Sequence, residues 1–352
     1  MLIRRSTDGG ADDFITVYRP CTIDEVIGQE INKKIIRSYF KENSTPHSML
    51  FTGPPGCGKT TMARIIALRL NCKNPINGID PCLECDHCLA TLNHSNLDVI
   101  EINVGKSGGK DAVDRITDKL AYSPMLCENK ILIFDEAQQL TPGAQDLLLK
   151  EIEDGYANVY FIFCTNEPEK LKKETFMDRT TSMHFGALAN GLIIEMLENI
   201  CDYEGVVHDK TILSYITEAS KGTPRKSIKL LKKVIDEGSW DLATVKELLE
   251  NIILDEDNPN IMEIGKQLMR GSFKDALKTL KNLKNIPEEA VRIAIAGFFT
   301  AKLSWCKSFI EADEYSAILE FMTKPILMSG KPAYHVLVNN FYKASKIMRK
   351  GN

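Results

Sequence analysis

An α/β domain built on a parallel sheet, carrying a cysteine-rich insertion and followed by all-helical domains, is the fold this sequence predicts. Three observations predict it. A glycine-rich octapeptide, Gly53-Pro-Pro-Gly-Cys-Gly-Lys-Thr60, lies between the apolar run Met49-Leu50-Phe51 and a helix-forming run from Met62 to Leu70. Two more apolar runs, Ile131-Leu-Ile-Phe134 and Val159-Tyr-Phe-Ile-Phe-Cys164, stop abruptly at polar residues. Unbroken apolar runs of this length mark strands buried on both faces, as in a parallel sheet. From about Ala187 the apolar residues recur instead at helical spacing, as in Leu192, Ile193, Met196, Leu197 and Ile200.

The octapeptide has the spacing of a phosphate-binding loop: a glycine, four intervening residues, a second glycine, then Lys59 and Thr60. Gly53, Gly56 and Gly58, with Pro54, Pro55 and Cys57 between them, let the backbone curl until several N–H groups converge on one phosphate chain. The helix that begins here adds its positive N-terminal end. Lys59 brings a formal charge to the terminal phosphates, and the Thr60 hydroxyl, followed by Thr61, is suited to Mg²⁺. A Gly/Pro turn before an ordinary helix is the plainer alternative, and the later strands weigh against it. Asp135 and Glu136 end the second strand, where Asp135 can hold Mg²⁺ and Glu136 can orient and deprotonate an attacking water. Thr165-Asn166 end the third, with Asn166 suited to hold that water or to read the terminal phosphate. Between these strands, Thr141-Pro142 opens a helix with a cap followed by proline, and Gly155 closes it.

The ten cysteines are unevenly spread. Six are scattered singly, and four, Cys72, Cys82, Cys85 and Cys88, lie just after the loop helix. That distribution argues against a secreted disulfide framework and for a reducing compartment with one metal site. Cys82-Leu-Glu-Cys85-Asp-His-Cys88 holds two Cys-x-x-Cys steps that share Cys85. Two-residue spacing lets thiolates face one ion, and four ligands close a tetrahedral Zn²⁺ site. The ligand set is either the four cysteines or three of them with His87. A redox pair is the competing reading, and it would not need the other two cysteines.

A chain of 352 residues predicts two or three domains. The net charge of −4 advertises no nucleic-acid binding, so any such contact must come from a local patch. Gly105-Lys-Ser-Gly-Gly-Lys110 is one: Lys106, Ser107 and Lys110 precede a helix predicted over residues 111–120 and suit a phosphate, unless the loop is merely solvated. No run approaches the roughly 18 apolar residues of a membrane span. The N-terminus lacks an apolar signal core. A soluble, cytoplasmic protein with no membrane partner is expected.

In this order the elements resemble the AAA+ ATPases, and more narrowly the clamp-loader subunits. Tyr18-Arg-Pro20 and Val26-Ile-Gly-Gln-Glu30 are similar to the family's lead-in, which implies that Tyr18, Arg19, Val26 and Ile27 line an adenine pocket. Asp135-Glu136, Leu148-Leu-Lys-Glu-Ile-Glu153 and Thr165-Asn166 follow in family order. Thr175-Phe-Met-Asp-Arg-Thr180 falls where clamp loaders carry Ser-Arg-Cys. The resemblance implies that Arg179 reaches into a neighbouring subunit's ATP site, although Asp178 and Thr180 replace the flanking residues. Gly222-Thr-Pro-Arg-Lys226 is similar to the second sensor, with Arg225 reaching the γ-phosphate from a helical lid. The cysteine pattern resembles the zinc module of the bacterial gamma/tau type, from a bacterium or its phage, and implies four cysteine ligands.

The resemblance implies a P-loop AAA+ domain over 1–186, an all-α lid over 187–254 and an all-α collar over 255–352. The acidic break Asp255-Glu-Asp-Asn-Pro-Asn260 marks the last boundary. It also implies ATP, Mg²⁺ and structural Zn²⁺ as cofactors. Its implied partners are the other subunits of a ring or spiral, a pentamer in this family, together with a sliding clamp and primer–template DNA. DNA would be held by its backbone phosphates, at Lys106, Ser107 and Lys110. The implied activity is hydrolysis of ATP to open the clamp and load it. Two rivals are another AAA+ motor, such as a branch-migration helicase, and a non-catalytic ATP-binding scaffold. The cysteine module counts against the first, and intact Lys59, Asp135 and Glu136 against the second.

Overall fold

The computed structural model describes residues 13–107, 123–171, 173–220, 222–246, 248–249, 259–283, 288–306, 308–324 and 333–350. They fall into two compact units, divided between Gly238 and Ser239.

The first unit is built on five parallel strands: β1 (Ser48–Thr52), β2 (Val99–Asn103), β3 (Lys130–Asp135), β4 (Val159–Thr165) and β5 (Thr181–His184). Their order across the sheet is β2-β3-β4-β1-β5. The three strands expected from unbroken apolar runs are the central ones. Alternation sends their side chains to two cores. Met49, Phe51, Ile131, Ile133, Ile162 and Cys164 meet Met62, Ile65 and Ile66 of the Lys59–Leu70 helix on one face. Leu50, Leu132, Phe134, Phe161 and Phe163 meet Leu148 and Leu149 of the Pro142–Asp154 helix on the other. That helix starts as its sequence requires, with the Thr141 hydroxyl accepting from the Ala144 amide at 3.4 Å and Pro142 in the first turn.

The strand order places the site. β4 lies between β1 and β3, so the residue after β4, Asn166, sits between the loop after β1 and the acids at the end of β3. Three further helices, Asn190–Glu204, Lys210–Ala219 and Pro224–Glu237, complete this unit, with Ile193, Leu197, Ile200, Leu213, Ile216 and Leu231 buried.

The second unit contains the helices Pro259–Met269, Phe273–Asn282, Glu288–Trp305, Phe309–Met322 and Ala333–Lys350. They enclose a core that includes Leu268, Ile295, Phe299, Ile318, Leu337 and Phe341. No helix among the described residues is long and apolar enough to cross a membrane.

Candidate functional site

The loop after β1 needs its glycines. Gly53, Gly56 and Gly58 have φ of +139°, +74° and +103°. A Cβ on Gly53 would lie 2.0 Å from the Phe185 carbonyl oxygen, an atom of the backbone that extends β5. Gly53→Ala is therefore expected to cost about 2–3 kcal/mol of stability, read as a lower denaturant midpoint at unchanged slope. Gly58 precedes the Lys59–Leu70 helix and offers no side-chain cap. The amides of that first turn, at Lys59, Thr60 and Thr61, thus open a positive helix end onto the cleft that these residues line.

Lys59 is 6 % exposed. Its ammonium donates to the carbonyls of Gly53 at 2.8 Å and Pro54 at 2.7 Å and to Asn166 Oδ1 at 2.7 Å, with Cys57 Sγ at 3.7 Å. Three oxygens for three protons make the burial of this cation tolerable. Asn166 can reach it because of the position of β4.

Asp135 and Glu136 line the same cleft. Glu136 has the left-handed backbone that a non-glycine residue seldom adopts, at φ +56°, and its amide donates to Asp135 Oδ1 at 3.0 Å. Its carboxylate lies against Gly105 beside Asn103: a Cβ on Gly105 would be 2.6 Å from Glu136 Oε2 and 3.4 Å from Asn103 Oδ1. Asn103 is the register partner of Asp135 across β2 and β3. Sequence reasoning missed it; the signal was a polar residue closing an apolar–polar alternation.

The cleft, of about 570 Å³, also brings in the lead-in and the third helical segment. Tyr18, Arg19, Val26 and Ile27 line one part of it, and Leu188, before the Asn190–Glu204 helix, with Met196 and Ile228 from the helices that follow, lines another. Arg225 enters from the first turn of Pro224–Glu237. This helical segment sits close on the loop: a Cβ on Gly56 would be 2.6 Å from Thr223 Cγ2. The Tyr18 hydroxyl, on a ring 1 % exposed, donates to Glu204 Oε1 at 2.5 Å. Gln29 Nε2 donates to the Gly186 carbonyl at 2.8 Å and to that of Cys57 at 3.4 Å, tying the lead-in to both the loop and the start of the helical segment.

A second missed residue is Arg64. It stands four residues after Thr60, hence on the same helix face, and pairs bidentately with Glu101 at 2.6 and 2.7 Å. Arg19 is near enough that burial, and after it the charges of Arg64 and Arg225, lower its guanidinium from the ordinary range. Lys59, Arg19, Arg64 and Arg225 against Glu101, Asp135 and Glu136 give the cleft the mixed charge that a phosphate chain with a divalent cation requires.

Arg179 is not among the residues lining this cleft. It ends the Lys173–Arg179 helix, where its guanidinium pairs with Glu153 and Nη1 donates to the Thr175 carbonyl at 3.3 Å. Lys106 and Ser107 close the short Val104–Ser107 helix that follows β2. Lys110 and the helix expected over 111–120 lie outside the described residues.

The sulfurs of Cys72, Cys82, Cys85 and Cys88 all lie within 4.8 Å of one another, with Cys72 to Cys82 at 3.4 Å and Cys82 to Cys88 at 4.0 Å. Zn–S bonds of about 2.3 Å put tetrahedral sulfurs about 3.8 Å apart, so this donor set fits Zn²⁺. His87 is outside the cluster; its Nδ1 lies 3.0 Å from the Asn71 carbonyl and must donate to it. Leu83, at φ +63°, turns the chain so that the Cys85 amide donates to Cys82 Sγ at 3.4 Å. Burial alone would raise the Cys82 thiol, but the amides of Glu84 and Cys85 and the neighbouring thiols pull it down to about 6. Burial pushes the Cys88 thiol well up. A cation among the four would favour the thiolate throughout.

The fold has solved counterparts. The RuvB Holliday junction branch migration motor of Thermotoga maritima is 19 % identical, with a TM-score of 0.50 over 80 % of this chain and 85 % of that one. At that identity the likeness is one of fold, and with the strand order it makes the first unit an AAA+ fold. Sequence narrows the class. Residues 28–189 match the family described as DNA polymerase III, delta subunit. The DNA polymerase III subunit tau of Bacillus subtilis is 32 % identical over 268 residues, 76 % of this chain and 47 % of that one. The gamma/tau subunit of Mycobacterium tuberculosis is 33 % identical over 220 residues, 62 % of this chain and 38 % of that one. The chain is a homologue of the DNA polymerase III gamma/tau subunits, and the likeness to clamp-loader ATPase subunits read from its motifs is borne out. It spans less than half the length of these two relatives.

Proposed function

We propose that this chain is an ATP-hydrolysing subunit of a clamp loader, acting in the cytoplasm of a bacterial or phage-infected cell. The observation that carries this reading is the convergence of Lys59, Thr60, Asp135, Glu136, Asn166 and Arg225 on one cleft. Bound Mg²⁺, held by Thr60 and Asp135, would supply charge neutralisation for the phosphate chain. Lys59 exchanges its loop carbonyls for phosphate oxygens. Glu136 takes the proton of the attacking water, and Asn166, released by Lys59, orients that water. Arg225 ties the terminal phosphate to the helices beyond residue 187, so that loss of this phosphate frees them. Arg179 acts on the cleft of a neighbouring subunit.

Residues 1–186 serve as the nucleotide-binding domain, 187–254 as the lid and 255–352 as the collar that joins subunits into a ring or spiral, pentameric in this class. The four cysteines hold a structural zinc. Lys106, Ser107 and Lys110 contact primer–template DNA through backbone phosphates, as a loader that accepts any sequence requires. ATP-driven closure opens a sliding clamp, and hydrolysis releases it on DNA.

Steady-state ATPase tests this, with and without primed DNA and the cognate sliding clamp, using the partner subunits that co-purify. Stimulation by both, abolished in Lys59→Ala, is expected. Turnover raised by DNA but unmoved by the clamp would favour another AAA+ motor. No turnover under any condition would make the chain an ATP-binding scaffold.

A further inference from the structure

The lead-in from Tyr18 to Ile27 has two sides. On one, Tyr18, Arg19, Pro20, Val26 and Ile27 line the cleft. On the other, Cys21 is buried in one apolar cluster with Leu68 of the loop helix and Cys88 of the thiol site, and Cys72, Cys82 and Cys85 pack against them. A direct hydrogen bond joins the two: Asp80 Oδ1 accepts from the Ile23 amide at 2.7 Å. Asp80 belongs to the loop that joins Cys72 to Cys82. None of residues 73–80 is fully buried. The loop closes on itself in a turn between Ile76 and Asp80, Arg69 holds the Gly78 carbonyl at 2.8 Å, Lys73 pairs with Asp86 at 2.7 Å, and Ile79 packs at the edge of the core. Its two ends are ligands of the metal site. A loop with no fully buried residue between its ends owes part of its shape to where those ends are fixed.

We propose that the thiolate module braces the cleft wall, and that Asp80 is the positioning residue that couples zinc binding to nucleotide binding. This rests on the nucleotide reading of the cleft. With the four sulfurs drawn onto one ion, Cys72 and Cys82 fix the loop, Asp80 holds the Ile23 amide, and Tyr18 to Ile27 stand in the position that receives the nucleoside end of the ligand. Without the ion the loop slackens and the wall with it. Linkage makes the effect reciprocal: whatever factor zinc adds to nucleotide affinity, nucleotide adds to zinc affinity.

Two equilibrium measurements on the full chain test this, using a non-hydrolysable ATP analogue with Mg²⁺ as the probe. Zinc affinity is measured by competition against a zinc-selective chelator, with and without saturating analogue. Analogue affinity is measured by fluorescence for wild type, Asp80→Ala and Asp80→Asn, each checked for one zinc per chain. The analogue is expected to tighten zinc about fivefold or more. Asp80→Ala is expected to weaken analogue binding by a comparable factor with its zinc retained. Asp80→Asn keeps the carbonyl oxygen that accepts from Ile23 and is expected to restore it. Equal analogue affinity in wild type and Asp80→Ala, or zinc affinity indifferent to bound analogue, overturns the coupling and leaves the nucleotide site standing. Failure of wild type to bind the analogue overturns both.

Discussion

Glu136→Gln is expected to bind ATP as tightly as wild type and to hydrolyse it about 10²–10⁴ times more slowly, the span for loss of a positioned general base. The proposed site keeps the two properties apart. A phosphate chain would be held by the loop amides, Lys59 and the first turn of the Lys59–Leu70 helix, and the hydrogen bonds of Lys59 run to Gly53, Pro54 and Asn166 rather than to Glu136. The carboxylate instead lies toward β2, against Gly105 and beside Asn103. Glutamine has the same volume there and keeps an oxygen that can accept, so the backbone at φ +56° and the pocket around it need not change. Only the capacity to take a proton is lost. Calorimetric titration with ATP and a single-turnover assay read the two properties independently. Unchanged binding with collapsed turnover is the expected pair; hydrolysis at the wild-type rate would remove Glu136 from its role as base.

What the sequence made legible follows burial and charge. β1, β3 and β4 were readable because they lie inside the sheet and both faces of each demand apolar residues. β2, Val-Ile-Glu-Ile-Asn, and β5, Thr-Ser-Met-His, are the two edge strands, only partly covered, and their mixed composition carries little signal. The Phe309–Met322 helix carries a weak pattern for a related reason: Phe309 and Ile310 stand exposed at its start while Tyr315, Ile318 and Met322 are buried, so apolar residues occupy both faces and blur the stripe. Asp135, Glu136 and Asn166 were legible because local motifs placed them at strand ends, and Lys59 because its glycine-rich loop leads into a helix. Arg64 was not, because an arginine within a helix reads as a solvated charge until the fold sets Glu101 opposite it. Leu188, Met196 and Ile228 could not be picked out, since nothing local tells an apolar side chain that packs on its own helices from one that walls a cleft. The cysteine module was legible from spacing, which left His87 open as a ligand; the family resemblance implied the four cysteines that the structure groups. The hydrogen bond from Ile23 to Asp80 was not, because 57 residues separate its partners and neither belongs to a motif.

Arg179→Ala is expected to lower ATP turnover in the assembled complex by about 10³–10⁵, the worth of a guanidinium that completes phosphoryl-transfer sites of this kind. Nucleotide binding by the isolated chain should not change, because Arg179 lies outside the residues that line its own cleft. Nor should folding suffer much. The Arg179–Glu153 pair has side chains 35 % and 48 % exposed, and surface pairs contribute about 0–1 kcal/mol. The backbone at this point is held independently, since the Ser48 hydroxyl donates to the Arg179 carbonyl at 2.6 Å. A large loss of rate with little change in the unfolding midpoint therefore separates chemistry from stability. Arg179→Lys should fail to rescue, because an ammonium cannot reproduce the planar fork. The decisive arm mixes chains. Arg179→Ala and Lys59→Ala are each expected to be inactive alone, yet assembled together they would create interfaces in which an intact loop meets an intact Arg179. Partial recovery of turnover in the mixture requires the arginine to act across subunits, and a mixture as inactive as its components would place its action within one chain.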